Sequence, residues 1–302
     1  MLIFLFLGIA CSSNAAVLGD PLFPTTGNAF GGGTGKLIFN SNRTTSNYAL
    51  YEFDLQTMTA IRLSEGESSH ISGPFSPDGN KIVYTLFGDI GTDLYTMNAD
   101  GTNVTQLTHD EEATNSFPAW SPDGTQIMFT AYKNENNDLF LMNADGSNVT
   151  QITNTPGDDW AAVWSPDGST LIFLSDRDNA PGIYDLYLMN PDGTNVRRLT
   201  SDGTNHYSPV WSPDGTRIAY RGNVQDGPGD IFVINADGMN QTNLTNHPGE
   251  DWSPAWSPDG TMIAFQSDRD GNWDIFVMTS EGTRLTNLTK THTDDQMPFW
   301  QP

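Results

Sequence analysis

A repeated pentapeptide constrains the fold of this chain more than any other feature. Trp-Ser-Pro-Asp-Gly begins at Trp120, Trp164, Trp211 and Trp256, and Phe75 begins a fifth copy with Phe in place of Trp. The aromatic residues are 45, 44, 47 and 45 positions apart, and residues 299–302 form a partial sixth copy. A period of this length, with several short strands in each unit, is typical of a β-propeller.

Each unit contains the pattern of four strands. In the unit that contains Trp120, one strand ends at Trp120, and the following strands are predicted over 126–130, 138–142 and 149–153. Ser-Pro-Asp-Gly and Asn-Ala-Asp-Gly supply tight turns, because Pro presets φ and Gly accepts a positive φ. One such sheet cannot bury its own apolar residues, so the units must stack around an axis. We therefore predict an all-β protein, a six-bladed β-propeller of four-stranded antiparallel blades over residues 36–302.

The two ends of the repeat region are out of phase. Segments 36–39, 50–53 and 60–63 match the second, third and fourth strands of a unit. The missing first strand is predicted from 298–300, so that one blade is closed by N- and C-terminal strands and no free sheet edge remains. Segment 30–34 is the alternative source. The C-terminal strand is preferred because Asp294 and Asp295 match the residues that lead into Trp164 and Trp256.

The charge of the chain excludes some partners. It contains 13 Lys and Arg against 37 Asp and Glu, a net charge of −24. Such a field repels phosphate backbones and anionic lipid, so we expect no nucleic-acid partner. The acidic residues are spread over every blade, which favours a solvated surface. Binding of cations or basic partners is the alternative.

The N-terminal segment indicates export. Residues 1–10 are almost wholly apolar, too short to span a bilayer, and suited to the core of a signal peptide. Small residues before Cys11 and polar residues after it resemble a bacterial lipoprotein signal, which would make 1–11 a signal peptide ending at a lipidated Cys11. A plain secretory signal cleaved near Ala15 is the alternative. Residues 12–35 have the composition of a flexible tether.

The repeat resembles the WD40-like (PD40) repeat of TolB-type β-propellers. The resemblance rests on the pentapeptide, on Asn-Ala-Asp-Gly, and on Ser-Asp-Arg-Asp at 175–178 and 267–270. It implies an exported binding or scaffold propeller of the cell envelope, in the periplasm or at the cell surface, anchored to the outer membrane only through lipid. We expect a monomer whose partner is an envelope protein or a peptide or glycan ligand at the channel mouth. The sequence has no room for the N-terminal α/β domain of TolB, so a lone propeller is expected.

The positions that vary between units are candidates for function. The residue five positions before each repeat aromatic enters the innermost strand, and symmetry predicts one ring at the mouth of the central channel. These residues are His70, Asn115, Asp159, His206, Asp251 and Asp295. Carboxylates and imidazoles on one ring repel unless they are protonated or bridged by a cation, so the ring predicts a divalent metal site, with Ca²⁺ favoured by oxygen ligands. The alternatives are loop capping or bonds to a neighbouring blade, and a catalytic role.

Three aromatic residues follow ring positions directly. Trp160, Tyr207 and Trp252 predict a stacking platform for a peptide or a sugar ring, with packing between blades as the alternative. The residues that recur in most units have structural explanations. The turn Trp residues are predicted to pack between blades. The aspartates that open third strands, such as Asp185 and Asp274, are predicted to form a hairpin salt bridge with Arg177 or Arg269, or a turn hydrogen bond.

Catalysis has little support in the sequence. No Gly-x-Ser-x-Gly nucleophile motif occurs, and we expect no enzyme. One enzyme alternative is a metal-dependent polysaccharide lyase, because oligogalacturonate lyase has a similar propeller that holds a divalent metal with several His. This chain has five: His70, His109, His206, His247 and His292.

Overall fold

The computed structural model describes residues 34–302, except 45–46, 65–69, 72, 89–90, 111 and 224–226. The predicted signal segment 1–11, its Cys11, and residues 12–33 of the predicted tether lie outside the described residues. The described part of the chain forms twenty-four strands. It includes no helix long and apolar enough to cross a membrane.

The strands form six four-stranded antiparallel sheets, each of which is one blade. Blade 1 consists of the last strand of the chain, β24 (Asp295–Trp300), followed by β1 (Lys36–Ser41), β2 (Ala49–Asp54) and β3 (Thr59–Arg62). Blade 2 consists of β4 (His70–Ile71), β5 (Lys81–Phe87), β6 (Thr92–Asn98) and β7 (Thr105–Gln106). Blade 3 consists of β8 (Thr114–Trp120), β9 (Gln126–Lys133), β10 (Asn136–Asn143) and β11 (Thr150–Gln151). Blade 4 consists of β12 (Asp159–Trp164), β13 (Leu171–Ser175), β14 (Asp185–Met189) and β15 (Arg197–Arg198). Blade 5 consists of β16 (His206–Trp211), β17 (Arg217–Asn223), β18 (Gly229–Asn235) and β19 (Thr242–Asn243). Blade 6 consists of β20 (Asp251–Trp256), β21 (Met262–Ser267), β22 (Asp274–Thr279) and β23 (Thr286–Asn287).

The predicted closure of the ring is confirmed. Strand β24 pairs antiparallel with β1, and Leu37 lies opposite Trp300 in the register. The closing strand also reaches blade 2, because the Gln301 amide donates a hydrogen bond to the carbonyl of Gly79 at 3.2 Å. The first and last blades are thereby joined, and the sheet that would otherwise have an open edge is complete.

Apolar side chains stack the blades on one another. Val83 and Leu94 of blade 2 share a buried cluster with Trp120 and Ile127 of blade 3. Trp164 and Trp256 occupy the same position in the clusters between later blades. The prediction that the turn Trp packs between blades is therefore confirmed at these three positions.

Five of the first strands, β8, β12, β16, β20 and β24, lie in succession around the axis, because neighbours in this order contact one another. The tight turns lie at one end of the propeller, and the other end, the loop end, is where each first strand begins. Five of the first strands have a β-bulge near this end, where a non-glycine residue has a φ of 50° to 54°. These residues are Phe117, Ala161, Ser208, Ser253 and Met297. A bulge changes the direction of the side chains beside it. The residue before each bulge residue therefore has the same orientation in all five blades.

Candidate functional site

The predicted ring residues occupy equivalent places at the loop end. His70, Asp159, His206, Asp251 and Asp295 are the first residues of their strands, and Asn115 is the second residue of β8. The side chains of Asp159, His206, Asp251 and Asp295 are fully buried. For His70 the structure describes the strand alone. The residues thus lie at equivalent strand starts, and their contacts indicate what each one does.

Each ring carboxylate is paired with an arginine of its own blade. Asp159 accepts from Arg177 at 2.7 Å and Asp251 from Arg269 at 2.8 Å. Arg43 contacts both oxygens of Asp295 at 2.9 Å. These are the in-blade contacts of a residue that fixes a loop, so a Ca²⁺ ion at the ring would have to compete with a guanidinium. The cation site at the ring stays a prediction.

The predicted pairing of Arg177 and Arg269 with third-strand aspartates is wrong. Both arginines contact the buried carboxylate of the first strand instead, and among the described residues that carboxylate has no other ion-pair partner. The hydrogen-bond donors to a third-strand aspartate such as Asp274 come from the fourth strand and the loop after it. Asp274 accepts from Asn287 at 2.8 Å and from Thr289 at 3.0 Å. The alternative in the sequence analysis, a turn hydrogen bond, is met at Asp185, which accepts from Asn179 of its own hairpin loop, and not by these contacts of Asp274.

Burial changes the titration of one ring carboxylate. Burial raises the pKa of Asp295 above its usual value, and the charge of Arg43 opposes that shift. Removal of Arg43 would therefore raise the pKa of Asp295 further and favour its protonated form.

The predicted platform residues lie next to one another. Trp160 and Tyr207 have ring centroids 6.0 Å apart, and Tyr207 and Trp252 are 5.2 Å apart. Tyr184 contacts both Trp160 and Tyr207, at 5.3 and 6.2 Å. Phe117, which is 43% exposed, meets Trp160 at 5.1 Å. We call these five residues the aromatic shelf; they come from blades 3 to 6 and form one continuous chain of ring contacts. Trp160, Tyr184 and Tyr207 are half-buried and also pack against the core cluster of blades 4 and 5.

A cation and a carboxylate hold one end of the aromatic shelf in place. The Arg221 guanidinium lies 4.0 Å from the centre of the Trp252 ring and 5.0 Å from that of Tyr207. Glu250 accepts from Arg221 at 2.9 Å and from the indole nitrogen of Trp252 at 3.2 Å. The cation–π contacts and the ion pair together restrict the rotamer of Trp252.

The other end of the shelf is anchored more weakly. The hydroxyl of Tyr184 donates to Asp158 at 3.2 Å, and burial raises the pKa of this tyrosine. The indole nitrogen of Trp160 is buried and has no hydrogen-bond partner in the described part of the chain. Sequence reasoning missed Phe117, Tyr184, Arg221 and Glu250. Tyr184 and Glu250 lie in loops, and only the stacking of blades brings them to the shelf.

Six four-stranded blades in a closed ring define a six-bladed β-propeller. The family model of the TolB β-propeller domain (PD40) matches residues 36–223 and 206–302. The chain belongs to this family.

Solved structures agree with the family. TolB from Acinetobacter baumannii is similar with a TM-score of 0.78 and 24% identity over 88% of this chain, which spans 66% of that structure. A structure assigned as TolB from Agrobacterium tumefaciens gives 0.70 and 21%, over 87% of this chain and 91% of the other. Oligogalacturonate lyase in complex with manganese gives 0.59 and 20%, over 83% and 73%. At these identities the likeness establishes the fold. No curated protein matches the chain.

Proposed function

We propose that the protein is an exported binding module of the cell envelope, which uses the aromatic shelf to bind a segment of another envelope protein. The single observation that supports this most is the continuity of the shelf across four blades, with Phe117 43% exposed. Trp, Tyr and Arg are the residues that dominate protein interfaces energetically. The positions equivalent to Trp160, Tyr207 and Trp252 are Ile71, Ser116 and Gln296 in the remaining three blades, so the repeat itself does not require an aromatic residue there.

The charge of the protein favours a basic partner. The net charge of −24 gives the surface a negative field that attracts cationic segments and speeds their association. The arginines nearest the ring and the shelf are already paired with carboxylates, as Arg221 is with Glu250. We therefore expect binding to weaken as salt rises.

The envelope location rests on the N-terminal segment. Residues 1–11 with Cys11 would place a lipid anchor on the outer membrane, and residues 12–35 would tether the propeller to it in the periplasm or at the cell surface. The similarity to TolB structures is consistent with an exported protein.

The shelf can be tested with matched variants. Purified protein should capture one defined envelope protein by crosslinking, and Trp160→Ala or Trp252→Ala should abolish the capture. Met239→Ala is the control, because Met239 is 61% exposed in the turn between β18 and β19, at the opposite end. Equal capture by all four proteins would refute the proposal. If the parent binds a glycan instead of a protein, and Trp160→Ala or Trp252→Ala abolishes that binding, the binding site stands and the ligand is a glycan.

Gly229 offers a variant that leaves every shelf aromatic in place. A Cβ at this position would lie 2.0 Å from Nε of Arg221, so Gly229→Ala must displace the guanidinium from Trp252 and Tyr207. We expect weaker capture with an unchanged fold.

The enzyme alternative makes a contrary claim: purified protein with Mn²⁺ would cleave uronate oligomers and release unsaturated product that absorbs in the ultraviolet.

A further inference from the structure

Blade 5 departs from the pairing of Asp with Arg at the ring. His206 occupies the position held by Asp159 and Asp251 in the adjacent blades, and Gly222 lies opposite it where those blades have a serine. The His206 side chain is 1% exposed and lies between two carboxylates. Asp185 comes from the third strand of blade 4, and Asp202 from the loop before β16. Among the described residues, these three form the group whose ligand atoms lie within 4.8 Å of one another.

The hydrogen bonds of the imidazole fix its tautomer. Nδ1 lies 3.1 Å from the backbone carbonyl of Tyr184, and a carbonyl can only accept, so Nδ1 carries the proton. In the neutral ring, Nε2 then has a lone pair. Nε2 is buried without a hydrogen-bond partner, and it faces Oδ2 of Asp202 at 3.4 Å. The neutral Nε2 and the Asp202 carboxylate are both acceptors, so they repel unless a proton or a metal cation lies between them.

We propose that His206 and Asp202 bind a divalent transition-metal ion, represented by Zn²⁺, between Nε2 and Oδ2. Zinc bonds of about 2.0 to 2.1 Å in a tetrahedral site place neighbouring ligand atoms about 3.3 to 3.4 Å apart. The distance in the protein is 3.4 Å. A shared proton would draw the two atoms to about 2.7 to 2.9 Å. The spacing is thus that of two metal ligands and not of a charged hydrogen bond.

Asp185 is the positioning residue of this site. Its Oδ1 lies 3.5 Å from Nδ1 of His206, on the side away from Asp202, and accepts from Thr200 at 2.9 Å. Metal-binding imidazoles commonly direct their other nitrogen at a carboxylate or a carbonyl, which fixes the tautomer and ring orientation. Here both groups are present.

The site has a path to solvent. The Asp202 side chain is 39% exposed, and it lines a groove of about 230 Å³ with Thr200, Gly238 and Gln241. The other oxygen of Asp202 accepts from the amide and hydroxyl of Thr204, which leaves Oδ2 for the ion. Water from the groove would complete the coordination, so the ion is exchangeable. The imidazole selects a transition metal over Ca²⁺ and Mg²⁺.

The test uses untagged protein stripped with chelator and dialysed against Zn²⁺ in excess Ca²⁺, which saturates the acidic surface. We expect one Zn²⁺ per chain. Asp202→Asn and His206→Asn should weaken binding at least tenfold, and Asp185→Asn by about 10- to 100-fold, as for other residues that orient metal ligands. Asp145→Asn, in an exposed turn of blade 3, is the matched control and should bind normally.

A second measurement keeps the proposal testable if a variant at a buried position, such as His206→Asn, does not fold. Co²⁺ bound to the parent protein should give the visible absorption of a four-coordinate ion, and Asp202→Asn, a change at a partly exposed position, should abolish it. Stoichiometric Zn²⁺ that survives Asp202→Asn would overturn the proposal. So would the absence of bound Zn²⁺ in the folded parent protein under the same conditions.

Discussion

Replacement of Trp300 by alanine tests how the propeller is closed. The Trp300 side chain is 7% exposed and packs in the cluster that joins blades 6 and 1, with Ala255 and Met262 among its members. Its indole nitrogen donates to the carbonyl of Ala255 at 3.1 Å. A buried Trp→Ala change costs about 3–5 kcal/mol. For a domain of this size, that corresponds to a fall in Tm of roughly 6–15 °C.

Trp256→Ala is the matched control, because Trp256 holds the same repeat position and is 8% exposed. Both variants should lose similar global stability. They should differ locally, since no turn of the chain connects β24 to β1, whereas β20 continues through a turn into β21. Hydrogen exchange followed by mass spectrometry should show early exposure of Lys36–Ser41 in Trp300→Ala and not in Trp256→Ala.

Two results would refute this reasoning. One is a Trp300→Ala protein that melts at the temperature of the parent. The other is a protein lacking residues 294–302 that melts at that temperature, because the deletion removes the whole closing strand and exposes the edge of β1.

Three further predictions concern the ring, the turns and the anchor. Asp251→Ala should lower the free energy of unfolding, measured by chemical denaturation, by about 3–5 kcal/mol, because it leaves Arg269, 9% exposed, without its carboxylate. If Ca²⁺ binds the ring, Ca²⁺ should raise the Tm of the parent and not that of the Asp159→Asn, Asp251→Asn double variant. Hydrogen bonds from Ser76 and Asn80 lower the pKa of Asp78 from 3.8 to about 2, and turn residues such as Asp100, Asp145 and Asp192 also have lowered pKa values. These turns therefore stabilise the fold fully above pH 4, and Tm should fall as pH drops from 4 towards 2; a Tm constant over that range would contradict the assignment. Cys11→Ala should move the protein from the membrane fraction to the soluble fraction, and unchanged membrane association would remove the lipid anchor.

The fold could be predicted because the repeat specifies it locally. The spacing of the pentapeptide and the phase shift between residues 36–39 and 298–300 were sufficient for the blade count and the closing strand. Turn residues and alternating apolar residues act within one unit, so a single sequence displays them. The ring positions followed from the same symmetry.

The partners of the site residues could not be predicted in this way. Arg269 lies in the loop between second and third strands, and spacing alone did not distinguish Asp251 on the first strand from Asp274 on the third. The length of the arginine side chain and the burial of Asp251 decide the pairing. Tyr184 joins the aromatic shelf from a loop of blade 4 and meets Tyr207 of blade 5 only when the blades stack.

The place where blades 4 and 5 meet connects the two proposed sites through one residue. The backbone of Tyr184 accepts from both the amide and Nδ1 of His206, at 3.0 and 3.1 Å, while its ring contacts Trp160 and Tyr207. A metal ion on Nε2 would hold the imidazole in the orientation that makes the second bond. Loss of the ion would remove one contact that orients the imidazole, and the hydrogen bond from Nδ1 to the carbonyl of Tyr184 would weaken. The adjacent blades fix the same position with an ion pair between Asp and Arg. If the metal site and the shelf act as proposed, occupancy of the site beside His206 would change the order of the shelf.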